Sequence, residues 1–180
     1  MRPLSGKETA ARLTGIISTK HQVHAYSVDL TVGKIYSVDP TGQVDFGGNE
    51  YSPANRSAIV SYRRRAEDNY EWWDLGRGTY AVIFNEAMKL GENEIAIVEP
   101  EDRLLRAGAS HPTSWLRGQI APLETLLFVG ALSMLVKQNA RIGRLRVFRF
   151  DSGAASESSA TSSAGQTTAK KDAAKKRGNR

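Results

Sequence analysis

The chain has no cysteine, so disulfides and thiolate metal sites are excluded, as is a zinc-dependent deaminase built on cysteines. Only three histidines occur, His21, His24 and His111, and they show no metal spacing with carboxylates. The longest apolar run, 126–136, is too short to span a bilayer, and Met1 to Leu13 has no apolar h-region. No membrane span and no signal peptide are therefore expected, and a reducing cytoplasm fits. The Gly-x-x-x-x-Gly-Lys, Gly-x-Gly-x-x-Gly and Gly-x-Ser-x-Gly signatures are missing. No Asp or Glu stands between Asp102 and Glu124.

What is present is an ordinary share of apolar residues, 40%, over 180 positions, enough for one good core. The expected division is a folded domain over 1–150 and a tail over 151–180. The tail is rich in Ser, Thr and Ala and cannot bury a core, so disorder is expected. Its six basic and three acidic residues carry half of the chain's net charge of +6. A basic end such as Lys170 to Arg180 attracts polyanions, nucleic acid among them, or simply solubilises.

The folded part alternates like strands. Ser5, Gly6, Lys7 and Glu8 form a capping-box pattern that predicts a short helix to about Leu13. Val28, Leu30 and Val32 alternate with Ser27, Asp29 and Thr31, and Lys34 to Val44 continues as strand material with a turn at Pro40-Thr41-Gly42. A short strand is expected over 59–62. Arg63, Arg64 and Arg65 read as a solvated face, with nucleic-acid contact as the sharper alternative. Two strands flank a polar turn at Gly91, Glu92 and Asn93. Over 122–137, Leu123, Leu126, Leu127, Ala131, Met134 and Leu135 recur at helical spacing.

Several segments together resemble the dCTP deaminase/dUTPase superfamily, in its archaeal dUTP nucleotidohydrolase form. Trp73, Leu75, Gly78, Tyr80, Val82, Phe84, Asn85 and Glu86 fit W-x-L-x-x-G-x-Y-x-V-x-F-N-E. Pro100, Leu104, Leu105, Arg106 and Gly108 fit P-R-S-S-L-L-R-x-G. Val28 to Thr31 read V-D-L-T, and 140–148 resemble G-x-R-I-A-Q-L-V-F. The resemblance implies an all-β, distorted jelly-roll barrel (dUTPase-like, β-clip) with a short N-terminal helix. It also implies a homotrimer with sites between subunits, a deoxyuridine nucleotide as ligand, and Mg²⁺ if the chain is enzymatically active. It favours strands over 122–137, against the local helical spacing.

The departures fall on the chemistry. Glu101, Asp102 and Arg103 replace the motif's Arg-Ser-Ser, whose members grip phosphate in the resembled enzymes. Gly108, Ala109 and Thr113 match the following loop, but its Asp-x-Gly-Tyr core is absent and Arg117 lies near the acid's slot. A carboxylate about 4 Å from a phosphate charge costs on the order of 4 kcal/mol at an effective dielectric near 20. One ordinary hydrogen bond returns about 1 kcal/mol. Asp29, Arg103 and Arg106 are the surviving nucleotide or phosphate-binding candidates. No catalytic residue is assignable, and Glu124 is out of register for a deaminase. No metal site is expected, Glu101 and Asp102 being the only carboxylates a Mg²⁺ ion could recruit there. Lost or reduced dUTP hydrolysis is therefore expected. Active dUTP diphosphatase is the alternative, and a structural protein docked on nucleic acid or ribonucleoprotein is a further one.

Overall fold

A computed structural model describes residues 1–150. The segment 151–180, expected to be a disordered basic tail, lies outside the described residues.

The capping box forms as the sequence predicts. Ser5 Oγ accepts from the Glu8 amide at 3.3 Å, and the Glu8 carboxylate accepts from the Ser5 amide at 2.9 Å. After the two-residue strand β1 (Arg2–Pro3), this caps helix α1 (Gly6–Ala10). Gly6 is required there, because a Cβ would lie 1.7 Å from the His24 carbonyl oxygen. The helix stops short of Leu13, which with Thr14 forms strand β2 (Leu13–Thr14). Helix α2 (Thr19–Gln22) then leads into β3 (Val28–Val38). That strand ends at Val38, just ahead of the expected turn at Pro40-Thr41-Gly42, and beyond the turn Gln43 makes only an isolated bridge to Ser52. The next strand is β4 (Arg56–Ala58), three residues ahead of the expected 59–62, and Tyr62 makes only an isolated bridge to Trp72.

The middle of the chain contributes β5 (Trp72–Phe84), β6 (Ala87–Lys89) and β7 (Glu94–Pro100). The strands on either side of the polar turn do not pair with each other. Instead β5 pairs with β3 on one edge, and β7 lies elsewhere in the sheet. Helix α3 (Asp102–Arg106) follows, then β8 (Ala109–Ser110), β9 (Ser114–Leu116), β10 (Gln119–Ile120), β11 (Glu124–Lys137) and β12 (Arg141–Arg149). The main sheet runs β8-β11-β5-β3-β12-β7-β9, with β1 on β12 and β4 on β3. A second sheet runs β10-β6-β2. The fold is an all-β, distorted jelly-roll barrel with a short N-terminal helix. Leu30, Ile35, Leu75, Val82, Leu127 and Leu145 fill one core with Leu13 and Met88 of the small sheet.

Residues 122–137 settle as strand. Antiparallel pairing of β11 with β5 spans both halves of the segment, with a register shift between Val129 and Ser133. Ahead of the shift Leu127 and Val129 are buried; after it Val136 is. The bulge thus flips the parity of the alternation, and two period-2 stretches out of phase imitate a 3.6 period. Gly108 sets this geometry from the other side. Its φ is +86°, its carbonyl accepts from the amides of Gly130 (2.9 Å) and Ala131 (3.2 Å), and a Cβ would sit 3.0 Å from that of Ala131.

Candidate functional site

The matched motifs converge because they hydrogen-bond one another. Glu86 is buried and accepts from the Thr31 amide at 2.9 Å, the Thr31 hydroxyl at 2.7 Å and Gln22 Nε2 at 2.7 Å. Burial raises the Glu86 carboxyl above its ordinary range despite these donors. Asn85 Nδ2 donates to Thr31 Oγ1 and to Asn139 Oδ1, both at 2.9 Å. The Val-Asp-Leu-Thr and Phe-Asn-Glu runs are therefore one interlocked framework, tied to the turn between β11 and β12.

Beside it lies a cluster of charge. Asp29, 1% exposed, takes His24 Nε2 at 2.9 Å and Arg141 Nη1 at 3.1 Å on Oδ2. Its Oδ1 lies 3.5 Å from Arg144 Nε. Arg144 Nη2 donates to Glu101 Oε1, and Glu101 is 4% exposed. Burial first, and Asp29 second, push the Glu101 carboxyl upward, while Arg144 pulls the other way. Burial alone would raise Asp29 as well; hydrogen bonds from Glu101 and His24 and the charge of Arg144 bring it below its usual range. The two carboxyls titrate as a pair, with Glu101 the one that holds a proton longer.

Glu101, expected to face a ligand, thus turns into the barrel. Asp102, Arg103 and Arg106 on α3 are exposed, as is Arg117 beyond β9. Only Arg103 reaches back, its Nε 3.9 Å from Glu101 Oε2. The structure brings Asp29 and Glu101 together, leaves Arg106 on the solvent side of α3, and keeps Arg117 outside the cluster. Among the described residues no group of three or more His, Asp or Glu could hold a metal ion, and of the two motif carboxylates Glu101 and Asp102 it is Asp102 that makes no ion pair.

Over 142 residues the chain is 30% identical to the probable deoxyuridine 5'-triphosphate nucleotidohydrolase of Methanosarcina acetivorans, covering 78% of this chain and 80% of that one. This chain belongs to the dCTP deaminase/dUTPase superfamily. The similarly named protein of Archaeoglobus fulgidus is 28% identical over 154 residues, 84% of this chain and 86% of that one. In fold, the chain is similar to the 2'-deoxycytidine 5'-triphosphate deaminase of Agrobacterium tumefaciens, with a TM-score of 0.61 at 14% identity over 82% of this chain. It spans about half of that deaminase, 48%. No protein-family model matches the sequence.

Set beside the superfamily's motifs, the cluster holds a reversal of charge. Glu101 stands where the P-R-S-S motif has arginine, and Arg144 stands where the R-I-A-Q motif has glutamine. Sequence reasoning missed Arg144, Arg141 and His24. One signal was available: an acid in a basic slot calls for a new cation nearby, and the last motif carries one.

Proposed function

We propose that this chain is a nucleotide-binding member of its superfamily in which dUTP hydrolysis is lost or much reduced. The observation that carries this is Arg117 near the slot of the loop's acid, with no carboxylate anywhere from 103 to 123. A hydrolase must orient and deprotonate water at the phosphorus, and that needs a base within hydrogen-bond reach. Asp29 and Glu101 do not serve, since their oxygens face Arg141, Arg144 and His24. The α3 arginines 103 and 106 expose donors that suit phosphate oxygens. Asp102 on the same turn opposes them.

Active dUTP diphosphatase is the second reading, favoured by the names of the archaeal relatives. Mg²⁺ belongs to that reading. Such an ion would be held mainly by phosphate oxygens and water, with Asp102 the exposed carboxylate beside them. Three further assignments are proposed with the first reading: a homotrimer, a deoxyuridine nucleotide as ligand, and a cytoplasmic setting. No described helix is long and apolar enough to cross a membrane.

The test is turnover of dUTP and of dCTP by the purified chain with Mg²⁺, reading diphosphate and ammonia. Binding of a deoxyuridine nucleotide without release of either is expected. Robust diphosphate release from dUTP sinks the proposal and selects the second reading.

A further inference from the structure

A different cationic surface is built from the segment between β4 and β5, the start of β5 and the end of β11. Arg64, Arg65, Asp68, Tyr70, Trp72 and Lys137 line a cleft of about 370 Å³. That lies within the range of roughly 300–1,000 Å³ typical of ligand sites. Its geometry follows from strand alternation. Trp73 points inward, 5% exposed, and its indole donates to the Ile59 carbonyl at 3.0 Å. Trp72 must then face out, and Lys137 is its direct cross-strand partner. Lys137 Nζ lies 4.0 Å from the Tyr70 ring centroid and 5.6 Å from that of Trp72; Arg64 Cζ lies 5.2 Å from the Trp72 ring.

The charge in this cleft is predominantly positive. Arg12, Arg56, Arg141, Arg144, Arg146 and Arg149 all pair with carboxylates. Among the described residues Arg64, Arg65 and Lys137 form no ion pair with a carboxylate. Asp68, the cleft's one acid, takes the Arg65 amide at 3.1 Å. Three cations thus surround two aromatic faces, and Asp68, the one acid lining the cleft, offsets only part of their charge.

A ligand that suits such a cleft carries negative charge along a backbone and flat rings beside it. We infer that it is a binding site for single-stranded nucleic acid. Arg64 and Arg65 take phosphate oxygens. Trp72 and Tyr70 offer stacking faces, with the Arg64 guanidinium sliding onto or off the indole as a base enters. This inference does not depend on the reading of α3, nor on the basic segment Lys170 to Arg180.

The test uses the full chain and a fluorescein-labelled oligodeoxyadenylate of about 12 nucleotides, a length within single-strand site sizes. Anisotropy is followed across a salt series. The double variant Arg64→Ala, Lys137→Ala is expected to bind at least about tenfold more weakly at low salt. Its slope of log affinity against log salt should fall by about 1.4, two charges at about 0.7 each. Lys7→Ala, which removes an exposed cation on α1 that belongs to neither site, should leave both quantities unchanged. Tryptophan quenching by unlabelled strand should shrink in Trp72→Phe, a readout independent of the charge changes. An unchanged slope and affinity in the double variant overturns the inference, and so does an equal loss in Lys7→Ala. Displacement of the strand by an equal concentration of deoxyadenosine monophosphate overturns it in favour of a free-nucleotide pocket.

Discussion

Arg144 and Glu101 form an ion pair between β12 and the start of α3, with Asp29 against the same guanidinium. Glu101 is almost wholly buried, and the Arg144 side chain is 27% exposed. Two acids and two arginines near one another are close to neutral together, and strongly out of balance if one cation is removed.

Arg144→Gln should therefore cost about 3 kcal/mol, the low end for breaking a buried pair because Arg144 is partly wet. In a domain of this size that is a fall of roughly 6–12 °C in Tm. Glu101→Arg alone should cost a similar amount, by facing Arg144 with a like charge. Combining Glu101→Arg with Arg144→Gln installs the arrangement of the superfamily's motifs and should recover more than half of either loss. A double-mutant cycle by urea unfolding reads this directly. Additive losses would show that the two positions are not coupled.

Glu94 is a second charged anchor, now for acid stability. Arg12 donates to it from Nε at 3.1 Å and Nη2 at 2.8 Å, and Arg149 from Nη2 at 2.7 Å. These donors, Arg12 foremost, hold its carboxyl at about 2 although burial acts the other way. The folded value is below the unfolded one, so the stabilisation is present above about pH 4.5 and drains away as pH falls toward 2. Glu94→Gln should lower stability at pH 7 by about 1–2 kcal/mol, at about 1.4 kcal/mol per pKa unit less the screening that its partly exposed arginine partners receive from water. It should also flatten the fall between pH 4.5 and 2. Urea midpoints at pH 7, 4.5 and 2.5 check both.

The framework was legible in the sequence where its chemistry is carried by short runs. The Ser5–Glu8 cap depends on four adjacent residues. The Val-Asp-Leu-Thr and Phe-Asn-Glu motifs kept their residue types because each satisfies the other's buried polar groups. What escaped depends on register or on distant partners. The parity of β11 turns on a bulge between Val129 and Ser133, which no local pattern announces. That same bulge puts Lys137 opposite Trp72, so the run Arg63 to Arg65, read as a solvated face with nucleic-acid contact as the alternative, gave no sign of the cleft beside it. Glu101 looked like a carboxylate facing a ligand until Arg144, 43 residues on, gave it a reason to turn inward.

His111 is expected to make the fold sensitive to mild acid. Its ring is 3% exposed, packs edge-on against Phe84 at 6.3 Å, and leaves Nε2 without a hydrogen bond among the described residues. Burial holds its pKa below the usual histidine value, while the Pro112 carbonyl, 3.0 Å from Nδ1, opposes that. The unfolded chain thus binds a proton that the folded one refuses, and stability falls as pH drops below about 6.5. His111→Leu should weaken this dependence between pH 7.5 and 5.5, measured as the change in Tm. An unchanged dependence would assign it to another group.

The outer face of β11 leads to the last prediction, on assembly. Leu126, Phe128, Leu132 and Leu135 are 39%, 45%, 82% and 41% exposed along one strand, and large apolar side chains gathered on one exposed strand mark a contact surface. Gly108, at the end of α3, is hydrogen-bonded to the bulge in this strand. A second copy packed on β11 would therefore come close to the exposed arginines of α3, as a site shared between subunits requires. The proposed homotrimer predicts a solution mass three times the chain's 19.7 kDa. Phe128→Asp with Leu132→Asp should shift it toward a single chain, because two carboxylates would have to lose water at the contact. Light scattering reads the mass, and circular dichroism confirms that the strands persist. The same variant should then weaken deoxyuridine nucleotide binding although neither residue lies on α3. A variant that stays trimeric would remove β11 from the interface, and one that dissociates yet binds nucleotide normally would place the ligand within a single subunit.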